Sequence, residues 1–202
     1  MSSFDADLER ALQGISSLAP TAQQLAMSNP KLYNFLDEKW TAAQATGTNR
    51  WDFIADTTDL LRSSIRNGNS HFSYDLIAER RRIERDIAIW QRGQAAGSCS
   101  AYLSGNSPNN IPIDLKERDK RWQVKALNEI DANDKPRTAV TFRIPASVYT
   151  RMKSLSGLSE TQLEATLHNT GSDAQRCASW IALVNAALEA PPSVGLPVLR
   201  EM

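Results

Sequence analysis

The stretch Lys135 to Leu155, KPRTAVTFRIPASVYTRMKSL, decides how far this chain departs from an all-helical fold. Val140, Phe142 and Ile144 alternate with Ala139, Thr141 and Arg143, the period-2 pattern of a half-buried strand. Pro145 then suits the first position of a helix whose face carries Val148, Met152 and Leu155. The stretch holds the cations Lys135, Arg137, Arg143, Arg151 and Lys153, with no Asp or Glu among them.

Downstream, Gly157 is a natural helix C-terminal cap. Ser159 to Gln162 and Ser172 to Gln175 both match the capping box, in which a serine hydroxyl and a glutamine amide satisfy each other's backbone N–H. Two further helices follow, the last ending at Pro191-Pro192. Upstream, Leu8, Ala11, Leu12 and Ile15 recur at helical spacing before Pro20. Thr21 or its neighbours start a second helix, Pro30 breaks or restarts it, and Leu32, Leu36 and Trp40 continue its apolar face. Trp51, Ile54, Leu61 and Ile65 mark another, stopped at Asn67-Gly68. Ser70 or Ser73 caps the next, which carries Leu76, Ile83, Ile87 and Trp90 on one face. Asp114 caps a helix running to about Ile130, with Trp122 inward. Residues 93–113, rich in Gly, Pro, Asn and Ser, read as a long loop or a lobe boundary.

The expected fold is therefore mainly α, a multi-helix, bundle-like domain with a minor β element near residues 138–144. Residues 1–95 form a helical N-terminal lobe and 96–113 the boundary. Residues 114–202 form a C-terminal lobe of one strand and about four helices. The strand must pair with the 93–113 segment, with the tail Val194–Leu199, or with another chain, because a lone strand leaves its backbone groups unsatisfied.

With 202 residues, 41 % hydrophobic and 23 % charged, the chain can bury a core without metal or disulfides. Its zero net charge is unevenly spread: −3 over residues 1–75, +6 over 76–153 and −3 over 154–202. No apolar run is long enough to span a membrane. Residues 1–25 open with Asp5, Asp7 and Glu9, which is no secretory signal. If Met1 is the natural start, the expected compartment is the cytoplasm. Cys99 and Cys177 would be free thiols there, with Cys177 buried on a helix stripe and Cys99 more exposed in the loop. The alternative is a Cys99–Cys177 disulfide, which would close a long loop and stabilise by roughly 4–5 kcal/mol.

No phosphate-binding, dinucleotide or nucleophile-elbow motif occurs. Cys99, Cys177, His71 and His168 lack the close spacing of a metal site, so neither metal nor cofactor is expected. The run Glu79 to Asp86, ERRRIERD, reads as a solvated helix face with intrahelical ion pairs. Five Trp residues fall on helices or their starts, where core packing is the default.

These features favour a non-enzymatic protein-interaction module with another protein as partner. An enzyme whose site assembles in space is a lesser reading. The alternative partner is nucleic acid. The strand, Pro-led helix, Gly turn and capped helix of residues 137–168 resemble a ribbon-helix-helix unit. The resemblance implies a dimeric DNA-binding regulator in which Arg137, Thr141 and Arg143 read base edges while Lys135, Arg151 and Lys153 contact phosphates.

Overall fold

The computed structural model describes residues 2–68, 71–108, 110–131 and 143–202. The fold is mainly α: 76 % helix in eleven helices, with no strand among the described residues. Residues 138–142 of the expected strand lie outside the described residues, and Arg143 to Pro145 lead into a helix without pairing as a strand. The chain divides into two compact units.

Unit 1 comprises residues 1–76 and 119–139. It holds α1 (Ser3–Ile15), α2 (Ala22–Ser28), α3 (Pro30–Ala45), α4 (Arg50–Asn67) and the end of α7 (Ile113–Glu129). Capping explains the helix starts. Ser2 with Asp5 and Thr21 with Gln24 are reciprocal capping boxes. Asn29 does more than cap α3. Its Oδ1 accepts from the Leu32 N–H, while its Nδ2 donates to the carbonyls of Leu127 at 3.1 Å and Ile130 at 2.9 Å. One buried amide thus joins the start of α3 to the end of α7 and satisfies groups both helices leave open. Phe4, Leu8 and Leu12 of α1 and Leu25, Leu32, Leu36, Phe53 and Leu61 of α2 to α4 are buried in this unit. Trp122 is buried too, and its indole N–H donates to the Leu76 carbonyl at 2.8 Å.

Asp7 is a charged exception in unit 1, buried on α1 at 2 % exposure. It takes an ion pair from Arg50 and a hydrogen bond from Trp40 Nε1 at 3.3 Å. A buried carboxylate survives only with such partners.

Unit 2 comprises residues 77–118 and 140–202. It holds most of α5 (Tyr74–Arg92), then α6 (Ser98–Leu103), the start of α7, α8 (Ala146–Ser156), α9 (Glu160–Leu167), α10 (Asp173–Glu189) and α11 (Pro192–Glu201). Both capping boxes read from the sequence form, at Ser159 with Gln162 and Ser172 with Gln175. Gly157 closes α8 in the left-handed region, φ 67°. Helix α10 is the hub: it packs on α6, α8, α9 and α11. Its buried small residues, among them Ala182, Ala186 and Ala187, let neighbours approach closely.

Four local expectations change. The 93–113 segment contains helix α6 rather than loop throughout. The tail Val194–Leu199 is helical in α11, so it is no strand partner. Pro192 begins that helix instead of ending the chain's helical part, because proline is compatible with a first helical turn. The fourth concerns Cys99 and Cys177, where the alternative reading holds. They are joined as a disulfide, not free thiols, and Cys99 is buried at 4 % exposure, not open in a loop. Helix α6 carries Cys99 onto the same α10 face that bears Cys177, with Cα atoms 5.9 Å apart.

Candidate functional site

The sequence singled out Lys135, Arg137, Thr141, Arg143, Arg151 and Lys153. Lys135, Arg137 and Thr141 lie outside the described residues. Arg143 is exposed just before α8. Arg151 pairs with Glu189 of α10 at 2.5 Å, and Lys153 pairs with Glu160 of α9 at 2.7 Å. Each pairing raises the cation's pKa, chiefly through the hydrogen bond it donates to its carboxylate partner. Both cations therefore already have anionic partners within unit 2.

The run Glu79 to Asp86 also differs from a plain solvated face. Arg81 is buried at 3 % exposure, donates from Nε to the Leu199 carbonyl at 2.7 Å and pairs with Glu84. Arg80 reaches the same carboxylate at 2.8 Å. Burial alone would push the Glu84 carboxyl up, but Arg81 and then Arg80 outweigh it and hold it below the usual glutamate range. Asp86 takes Arg85 and, from α7, Arg118, each at 2.8 Å. These arginines lock helices together inside unit 2; intrahelical pairing describes only part of what they do.

Cavities and a covalent link converge on α6; the sequence names Cys99 as a possible disulfide partner but does not announce the helix that carries it. Gly97 precedes the helix with φ 81°, a conformation natural to glycine. Cys99 ties it to α10, and around the bond Ala88, Cys99, Cys177 and Ile181 form a buried cluster with Tyr102, Leu103 and Trp180 packed against it. Among the described residues, three open cavities flank this helix. One of about 270 Å³ is lined by Leu103, Met152, Trp180 and Leu183, with Arg176 and the hydroxyls of Thr166 and Ser179. Thr166 and Ser179 are hydrogen-bonded to each other at 2.7 Å. A second, about 430 Å³, lies over the disulfide and the start of α10. There Asp173 is held below the usual aspartate range by the Arg176 hydrogen bond and then by Ser100.

The third cavity, about 390 Å³, lies between the end of α5 and α6. Its lining includes Trp90, Gln91, Gln94, Ser98, Tyr102, Asn106, Ser107 and Asn110, with no acidic or basic side chain. The turn after α6 is satisfied by its own backbone: Gly105 N–H donates to Tyr102 and Asn106 N–H to Ala101.

Among the described residues no cluster of His, Cys, Asp and Glu side chains could hold a metal ion. Among the described residues no helix is long and apolar enough to cross a membrane. No family model, curated protein or solved structure matches this chain.

Proposed function

We propose that the protein is a non-enzymatic interaction module of an oxidising compartment, with the α6 face of unit 2 as its recognition surface and another protein as partner. The observation that carries this reading is the anchoring of a six-residue helix to α10 by Cys99–Cys177, with cavities open on its flanks. A helix that short is marginal by itself. Pinning it presents Tyr102, Leu103 and the following turn in one arrangement, which lowers the ordering cost of binding. The bond also supports the compartment, since disulfides persist where thiols are not kept reduced.

Photo-crosslinking tests this reading. A benzophenone amino acid is placed at Ala101 or Asn106 on the α6 face, and at Met27 or Trp51 in unit 1 as controls. One discrete protein adduct is expected from the α6 positions in cells that make the protein, and its loss in the Cys99→Ser/Cys177→Ser variant. Equal adducts from all four positions, or none from α6, would falsify the assignment.

A further inference from the structure

We infer that the cavity between the end of α5 and α6 binds a neutral saccharide unit. This goes beyond the protein-interaction reading and does not depend on it.

The lining chemistry selects the ligand class. A charged ligand in a partly desolvated site needs an opposite charge, and no acidic or basic side chain lines this cavity. What it offers instead is amides and hydroxyls, from Gln94, Ser98, Asn106 and Ser107. An amide presents a donor group and an acceptor side by side, and a hydroxyl does both, which matches the adjacent hydroxyls of a sugar ring. The side chains of Ser98, Asn106 and Ser107 have no hydrogen-bond partner among the described residues, so they are available. Trp90 and Tyr102 add aromatic surface against which the apolar C–H face of a pyranose can lie.

Size and rigidity agree. About 390 Å³ is within the range of small-ligand sites, which runs from about 300 to 1,000 Å³. Ser98 adjoins Cys99, so one wall of the cavity is fixed to α10 by the disulfide, and the hydroxyl and ring it carries are held before the ligand arrives.

The test is calorimetric titration of the full, oxidised chain with glucose, N-acetylglucosamine, maltose and chitobiose, with glucuronate as the charged counterpart of glucose. At least one neutral sugar is expected to bind with a Kd tighter than about 10 mM, and glucuronate to bind more weakly than glucose. Asn106→Ala, in an exposed turn, and Trp90→Leu, which removes the aromatic face at a half-buried position, are each expected to weaken that binding at least about fivefold. Saturable binding by none of the four sugars overturns the inference. So does sugar binding that both variants leave unchanged, because it would lie elsewhere. Crosslinking from α6 can succeed or fail whichever way the sugar titration falls, so the two readings fail separately.

Discussion

Gly195 of α11 lies so close to Ala187 of α10 that a Cβ on the glycine would sit 2.1 Å from the Ala187 carbonyl oxygen. The obstacle is backbone, which cannot swing aside as a side chain would. Gly195 is what lets α11 pack on the hub of unit 2. Gly195→Ala should therefore destabilise by about 2 kcal/mol or more through forced helix displacement. Gly47 is a useful contrast. It has φ 69° but open space around it, so Gly47→Ala should cost only about 1 kcal/mol, from conformation alone. Urea unfolding of both variants measures the difference; equal losses would refute the close-packing account.

The disulfide predicts a large redox effect on unit 2. Cys99 and Cys177 are 78 residues apart, and closing such a loop restricts the unfolded chain by about 4 to 5 kcal/mol in the entropic account. Reduction, or the Cys99→Ser/Cys177→Ser pair, should lower the unfolding midpoint by a corresponding amount. A denatured thiol count on the untreated protein should find none free, and two free thiols there would contradict the bond.

Asp7 and Arg50 should respond unequally to substitution. Arg50→Ala strands a buried carboxylate with Trp40 as its remaining side-chain partner, a loss of about 3 kcal/mol. Asp7→Asn removes the charge and keeps an acceptor for the indole, so it should cost about 1–2 kcal/mol. Arg50 is half-exposed and can turn to water once its partner is neutral. Denaturant unfolding of the two variants should rank them in that order, and the reverse order would mean the pair is not what holds Asp7 in place.

Glu84 links stability to pH. Its folded pKa is depressed, so its contribution is fully present above the ordinary glutamate value of about 4.3 and is lost as pH falls through the lower, folded value. Asp5, Glu160, Asp173 and Glu189 are depressed as well and act in the same direction. The melting temperature should hold near neutrality and fall steadily in the acid range. In Glu84→Gln it should start lower and fall less, since one titrating group is gone. An unchanged acid slope in that variant would show that Arg80 and Arg81 are not holding Glu84 ionised for stability.

Much of the secondary structure is legible in short windows of sequence. Thr21 with Gln24, Ser159 with Gln162 and Ser172 with Gln175 announce their helix starts because each capping box closes within four residues. The spacing of Leu8, Leu12, Leu32, Leu36 and Val148 with Met152 likewise names faces that are buried. Helix α6 was hidden because SCSAYL is too short to show a period and is set among turn-forming residues.

Local sequence pattern suffices for a mainly helical protein, for most of its helix starts, and for the apolar stripes that fill its cores. Which of several similar residues goes inside depends instead on long-range packing. Trp122 is buried and Trp51 is 63 % exposed, though both are helical tryptophans. Arg81 is buried between like-charged neighbours because Leu199 and Glu84 receive its guanidinium. Cys99 meets Cys177, and cavities open around α6, because α10 gathers segments far apart in the chain. A capping box is settled by interactions a few residues long, whereas these placements depend on which distant backbone and side-chain groups the whole packing brings to satisfy them.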